Sequence, residues 1–270
     1  DCLDVRLGLR KQWVGFPGAP TTGWASLHGY LRPKGKPFIR NRHGIGAFVE
    51  ADEAGPIGYT QFYVAYAYHI QMAKDYYMSM GLFAGVKQQK LNIGDINVPD
   101  NNDPALKSDG SVLVYPVITP GIWLYSRSGW AGLSIQQVLN NHVPDIGTDN
   151  KLTMHFAASA GHRVRMSKYM ALVPSTLLKF SAGSPLSVDV NAMFEYRRKL
   201  GIGVSYRNQD AVAFMVKLPF MKFFTLGYSY DITTSRLRVA SSNTHEVILA
   251  IYPCAASDPA KAIVRCPVFE

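Results

Sequence analysis

Apolar and polar positions alternate with a period of two along most of this chain, the mark of strands whose two faces meet different surroundings. Over Tyr59–Gln71, Thr60, Phe62, Val64, Tyr66, Tyr68 and Ile70 fall on one side, opposite Gln61, Tyr63, Ala65, Ala67, His69 and Gln71. Over Leu186–Arg197, Leu186, Val188, Val190, Ala192, Phe194 and Tyr196 oppose Ser187, Asp189, Asn191, Met193, Glu195 and Arg197. Phe223–Ile232 repeats the pattern, and shorter versions occur at Asp4–Gln12, Tyr76–Gln89, Leu152–Arg163, Gly201–Arg207 and Glu246–Tyr252. The alternation predicts strands near 4–13, 20–32, 44–53, 57–71, 75–90, 116–127, 129–138, 150–164, 169–181, 185–197, 200–207, 211–218, 221–232 and 244–253.

Two arrangements accept such strands, a soluble sandwich and a transmembrane barrel. A sandwich turns its polar face to water, so that face should be rich in Lys and Glu. Here the polar face is mostly Ser, Thr, Gly, Asn and Gln, which suits an enclosed interior. The apolar face carries Tyr, Trp and Phe near segment ends, as an aromatic girdle would. Many segments run about nine to thirteen residues, against about five or six in globular sheets, and that length crosses hydrocarbon when tilted. The expectation is an all-β fold, a closed antiparallel transmembrane barrel of about fourteen strands.

Loop lengths sort by parity. The long connections Leu91–Tyr115, Leu139–Asp149 and Thr233–Asn243 follow odd-numbered strands, while most turns after even-numbered strands are tight, Pro33–His43 excepted. Outer-membrane barrels have short periplasmic turns and longer outer loops, so both termini are expected in the periplasm. Residues 1–254 then form the barrel and 255–270 a periplasmic C-terminal tail. The chain opens at Asp1 with neither Met nor an apolar leader, as after removal of a secretory signal or trimming.

Composition narrows the picture further. Charged residues are only 17% of the 270 and aromatics 12%, which excludes a disordered chain. The longest stretch without formal charge, Ala54–Ala73, contains Gln61, His69, Gln71 and a Gly-Pro pair, a poor membrane-spanning helix. Lys and Arg exceed Asp and Glu by 28 − 19, giving +9. Much of that excess falls on the short-turn rim, at Lys34, Lys36, Arg40, Arg42, Lys74, Arg165, Lys168, Arg197, Arg198 and Lys199. Two readings stand: solvated turns near anionic headgroups, or a docking surface for an acidic periplasmic partner. No basic helix or aromatic-basic strand motif points to nucleic acid.

Catalytic and metal motifs are lacking: no nucleophile elbow, no phosphate-binding glycine loop and no His-Glu-x-x-His. No enzyme activity, cofactor or metal is expected. His28, His69 and His155 fall on polar faces, where lumen hydrogen bonding is the expectation. Asp4, Asp189, Glu195 and Asp231 are expected to share the interior with Arg6, Arg10, Arg163, Arg197 and Arg207 as pairs filling it. Barrel closure brings Cys2, just before the first strand, near Cys254, just after the last, so a Cys2–Cys254 or Cys2–Cys266 disulfide competes with free thiols.

Candidate partner-binding residues lie on the long-loop rim: Trp13, Phe16, Asp103, Lys107, His142, Arg236 and Arg238. Gln12-Trp13-Val14-Gly15-Phe16 reads equally as girdle plus tight turn or as part of a seat for a secreted domain. Asp231 and His245-Glu246 flank the last loop, where a network with Arg236 or Arg238 is expected to order it.

Three stretches carry a family resemblance. They are Arg10-Lys11-Gln12-Trp13-Val14-Gly15-Phe16 with Gly18-Ala19-Pro20-Thr21; Lys179-Phe180 through Pro185, Val188-Asp189-Val190-Asn191-Ala192 and Gly203-Val204-Ser205-Tyr206-Arg207; and Leu226-Gly227-Tyr228-Ser229-Tyr230-Asp231 with Ser241-Ser242 and Thr244-His245-Glu246. In order and spacing the chain resembles the PorP/SprF outer-membrane proteins of type IX secretion and gliding motility in Bacteroidota. It departs from them in its cysteine-bearing tail and in lacking an Asn-Pro-Ala-like lead-in. The resemblance implies a non-enzymatic outer-membrane barrel that anchors or helps export a secreted adhesin bearing a type B C-terminal domain, working with secretion or periplasmic, peptidoglycan-linked components. A channel or small-solute transporter using the polar lumen is the alternative.

Overall fold

The computed structural model describes residues 3–31, 41–92, 111–141, 151–235 and 243–252, apart from positions 198, 209 and 222. Period-two alternation becomes strand in every segment where it was read. The strands are β1 (Asp4–Lys11), β2 (Thr21–Leu31), β3 (Arg42–Ala54), β4 (Ile57–Ala73), β5 (Tyr76–Leu91), β6 (Ser111–Tyr125) and β7 (Gly129–Gln136). Then come β8 (His155–His162, resuming at Val164–Arg165), β9 (Met170–Ser181), β10 (Ser187–Tyr196), β11 (Leu200–Arg207), β12 (Ala211–Phe220), β13 (Phe224–Thr233) and β14 (Thr244–Ile251). Each pairs antiparallel with its neighbours in sequence, and β1 pairs with β14 from Val5↔Ile251 to Lys11↔His245. The result is a closed fourteen-stranded antiparallel barrel with no free edge.

Two strand starts differ most from the expectation, each by five residues. β6 begins at Ser111, not near 116, because Val112 and Val114 face out while Leu113 and Tyr115 face in, extending the pairing to Leu91↔Ser111. The long connection after β5 is therefore 92–110, and Tyr115 is a buried wall residue. β8 begins at His155 rather than 150 and breaks at Arg163, whose N–H donates to the Ser128 carbonyl oxygen at 2.6 Å.

Burial runs opposite to that of a water-soluble domain. Large apolar side chains cover the outside: Val64 is 56% exposed and Leu133 64%, in company with Phe62, Val114, Ile122, Val190, Ile202 and Phe214. Polar side chains occupy the protected interior, among them Asp4, Ser79, Gln89, Asp189, Ser205 and Asp231. An apolar surface this continuous needs acyl chains as its solvent. The chain is a membrane β-barrel.

Tryptophan departs from the girdle expectation. Trp24, Trp123 and Trp130 all point inward, each ring resting on a glycine of the adjacent strand, Gly8, Gly132 and Gly161 respectively. A Cβ on any of these glycines would overlap the indole. Glycine thus makes room for the bulkiest side chains along the inner wall. The outer aromatics are Tyr and Phe instead, including Tyr66, Tyr76, Phe156, Phe180, Tyr196 and Phe220.

The chain enters at β1 and leaves at β14 on the rim that holds the tight turns 74–75, 126–128, 166–169, 197–199 and 221–223. This is the turn rim. Connections 12–20, 55–56, 92–110, 137–154, 182–186, 208–210 and 234–243 share the opposite, loop rim.

Candidate functional site

The loop rim has one well-defined feature, the connection 12–20 between β1 and β2. Its ends are clamped by Gln12 N–H donating to the Pro20 carbonyl oxygen at 2.9 Å. Trp13 N–H donates to the Thr244 hydroxyl oxygen at 3.1 Å, and Val14 N–H to the Asn243 carbonyl oxygen at 2.9 Å. Gly55 N–H donates to the Gly18 carbonyl oxygen at 2.9 Å, tying the connection to the β3–β4 turn. Gly18 has φ of 70°, and a Cβ there would sit 3.1 Å from the Gly55 Cα, so glycine is required by both conformation and space.

Backbone fixed in this way leaves side chains on show. Phe16 is 43% exposed, and Val14 beside it is exposed as well, while Trp13 is half-buried in the left-handed region at φ 49°. Of the residues singled out as partner-binding candidates, Trp13 and Phe16 therefore share one rigid turn. Asp103, Lys107, His142, Arg236 and Arg238 lie outside the described residues, as do Cys2, Cys254 and Cys266. Val14, part of the stretch read as a possible seat, is exposed beside Trp13 and Phe16; its partner Asn243 is distant in sequence and adjacent only through barrel closure.

Below this rim the lumen wall holds a linked set of charges. Arg10 bridges Glu246 and Asp231, each at 3.0 Å, and Arg207 reaches Asp231 at 3.5 Å, Asp189 at 3.7 Å and Asp210 at 3.0 Å. Lys179 adds a contact to Asp189 at 3.4 Å. Arg207 and Asp231 sit on β11 and β13, and they meet because β12 offers only Ala211 and Ala213 between them. Asp231 and Glu246 thus find partners on the barrel wall, whereas His245 belongs to the outer face and hydrogen-bonds the Tyr228 hydroxyl at 2.8 Å.

On the facing strands, Gln61 donates to Glu50 at 2.6 Å, Thr22 donates to Asp52, and the Lys87 ammonium lies 4.1 Å from the Tyr59 ring centre. These side chains follow one another at i, i+2 on inward faces, a signal legible in sequence once the inward parity is known.

Toward the turn rim, Arg6 pairs with Asp4 at 3.0 Å and His28 lies 3.6 Å from Asp4. Glu195 takes both Arg163 at 2.9 Å and Lys217 at 3.6 Å. His69 and the Tyr125 hydroxyl are 3.0 Å apart, and Arg42 stacks over Tyr77 at 4.8 Å. Interior pairing holds for Arg6, Arg10, Arg163 and Arg207. Arg197 is the exception: it sits beyond the end of β10 and stacks on Tyr169 and Tyr196 at 4.9 and 5.3 Å. Among the described residues, no group of three His, Cys, Asp or Glu side chains is placed to hold a metal ion.

This barrel can be compared with known proteins on two levels. The family profile described as "Type IX secretion system membrane protein PorP/SprF" matches residues 1–251, the whole of the barrel. The chain belongs to the PorP/SprF family. No curated protein matches it in sequence. In fold, this PorP/SprF barrel is similar to the Ralstonia pickettii toluene transporter TbuX, with 11% identity, a TM-score of 0.54 and coverage of 93% of this chain and 89% of that one. It is similar too to the CymD monoaromatic hydrocarbon channel (12% identity, TM-score 0.53, 93% and 87% covered). The TodX deltaS2S3 mutant, a monoaromatic hydrocarbon channel, gives 9% identity, a TM-score of 0.51 and 93% and 88% covered. At these identities the likeness establishes a common barrel architecture. A PorP/SprF protein is a type IX secretion system membrane component, and its partners are sought among the parts of that system.

Proposed function

We propose that this PorP/SprF protein is a non-enzymatic outer-membrane barrel that anchors, or helps export, a secreted surface adhesin carrying a type B C-terminal domain, as in gliding motility. The observation that carries the reading is the family match along the entire barrel. The rigid 12–20 turn supports it, since its exposed Val14 and Phe16 offer an apolar contact that costs little ordering on binding. Trp13, Asp103, Lys107, His142, Arg236 and Arg238 complete the proposed seat. In this orientation the loop rim faces outward and the turn rim, with both chain ends, faces the periplasm. Residues 1–254 act as the barrel and 255–270 as a periplasmic tail, and in an oxidising compartment a Cys2–Cys254 or Cys2–Cys266 disulfide competes with free thiols. Periplasmic or peptidoglycan-linked secretion components are the partners on that side.

The test is co-purification with a large secreted protein from cells expressing the tagged barrel. Deleting 93–110, or replacing Val14 and Phe16 by Ser, should abolish co-purification while heat-modifiable electrophoretic migration shows the barrel intact. Unchanged capture by both variants would refute the docking seat.

A second reading, a solute channel, draws on the inward-facing Lys179 and Phe83 side chains, both substantially exposed within the lumen, and on an architecture similar to hydrocarbon channels. Steady conductance of the purified barrel in planar bilayers, without any protein partner, would favour it over docking.

A further inference from the structure

Two neighbouring turns on the turn rim carry an ordered cluster of cations on the outer side of the barrel. The turn 166–169 between β8 and β9 lies against the turn 197–199 between β10 and β11, because Met170 pairs with Tyr196. Arg197 N–H donates to the Tyr169 carbonyl oxygen at 2.6 Å, and Lys199 N–H closes its turn on the Tyr196 carbonyl oxygen at 2.9 Å. The Ser167 hydroxyl oxygen accepts from the N–H groups of Tyr169 and Met170 at 3.2 and 3.1 Å. Arg197 itself is left-handed at φ 50°. These bonds give the pair of turns a defined shape.

On this frame the Arg197 guanidinium lies over Tyr169 and Tyr196, and the Lys168 ammonium stands 5.6 Å from the Tyr169 ring centre. Tyr196 continues the outward row of Val190 and Phe194, and Tyr169 is 49% exposed. The cations therefore sit at the edge of the acyl-facing surface. Lys199 lies in the same turn as Arg197, whereas Arg165, paired with Ala171, shares the lumen side with Glu195; among the described residues no carboxylate forms an ion pair with Arg197, Lys168 or Lys199. Glu195, one residue before Tyr196, faces the lumen and is occupied by Arg163 and Lys217. Elsewhere on the same rim, Arg127 pairs with Asp75 at 3.1 Å.

We propose that these two turns bind the headgroup phosphate of an anionic phospholipid in the leaflet bordering the turn rim. A guanidinium fork matches phosphate oxygens and an ammonium adds a point charge, while the tyrosine rings beneath hold both at headgroup depth. The lipid's acyl chains run along the outward side chains of Met170, Leu172 and Phe194. An acidic protein would approach along the barrel axis, whereas Arg197 is stacked on Tyr196, whose ring continues the outward row that faces the bilayer. The site rests on the membrane fold alone and stands whichever cargo the barrel serves.

Native mass spectrometry of the detergent-purified barrel, with phosphatidylglycerol and phosphatidylcholine as probes, tests this. Wild type should retain phosphatidylglycerol preferentially. The K168Q/R197G double variant, with a glycine suited to the left-handed position, should lose roughly fivefold in affinity for each cation removed. Y169L should bind more weakly than wild type and keeps the charges, which separates the stacked site from bulk attraction. Heat-modifiable migration checks folding of each variant. Equal retention of the two lipids by wild type, undiminished phosphatidylglycerol binding by K168Q/R197G, or complete displacement by inorganic phosphate would overturn the proposal. Tight binding of poly-glutamate to wild type with no lipid preference would overturn it in favour of an acidic protein partner.

Discussion

Arg10 on β1 and Asp231 on β13 form an ion pair at 3.0 Å that reaches over the intervening strand β14. Asp231 is 2% exposed, with Arg207 approaching from its other side at 3.5 Å. The strand that closes the barrel is thus bracketed by a bridge that needs both of its neighbours. Removing Arg10 takes the closer of two guanidinium groups from Asp231 and leaves it Arg207 at 3.5 Å and the Ser229 hydroxyl at 2.7 Å. Arg10→Met should destabilise the barrel by about 1–3 kcal/mol, less than a fully unpaired buried charge would cost, and Asp231→Asn in the same chain should recover part of that loss. Urea unfolding in lipid vesicles measures both, and additivity of the two changes would contradict direct coupling.

Glu195 stands between Arg163 and Lys217 nearer the turn rim of the wall. Glu195→Gln leaves two cations facing each other, and the expected loss is on the order of 3 kcal/mol. Adding Lys217→Met should restore stability. If Glu195→Gln alone is neutral, lumen water screens the triad and the pairing contributes nothing.

The tryptophan seats yield a steric prediction. Gly8→Ala drives a methyl group into the Trp24 indole and should cost about 1–3 kcal/mol. The same change in a Trp24→Ala background should be close to neutral. Equal costs in both backgrounds would mean that Gly8 is needed for its backbone rather than for the ring.

Lipid exposure can be tested residue by residue. Val64→Arg on the outer face should cost about 2–4 kcal/mol in a bilayer near its midplane, while Ala65→Ser, next in sequence and facing the lumen, should be nearly neutral. Folding yields into vesicles, compared for the two variants, report the difference. Similar yields would remove the assignment of outside and inside.

Thr244→Val removes the hydroxyl that accepts from Trp13 N–H. The 12–20 connection should then become sensitive to limited proteolysis while the barrel keeps its heat-modifiable migration. An unchanged cleavage pattern would show that the Val14 and Gly55 backbone bonds suffice.

Strand positions were legible because side-chain direction repeats every two residues, and a wall with lipid on one side and a polar interior on the other writes that repeat strongly. β4 and β10 illustrate this: each keeps its outward and inward rows as read. The pattern falters where side-chain size, not polarity, decides. Tyr, Trp and Phe were read together as a girdle, yet Trp24, Trp123 and Trp130 each turn inward because the adjacent strand offers a glycine, a fact carried by a different part of the chain. Arg197 read as a lumen charge from its parity with Glu195, but the left-handed turn beyond β10 redirects it onto two tyrosines. The bracket around Asp231 was invisible for the same reason: Arg10, Ala213 and Glu246 converge only once the sheet is wrapped.

The β1–β14 seam joins Val5 to Ile251, residues separated by nearly the whole polypeptide. Until Thr244–Ile251 is available, the first and penultimate strands each keep an unpaired edge, with a row of amide and carbonyl groups seeking partners in a solvent that offers none. Assembly of this barrel is therefore a last-come process. A truncation of eight residues at that point should be far more damaging than a gap of the same size in any rim connection, since it leaves a slit running the full height of the wall.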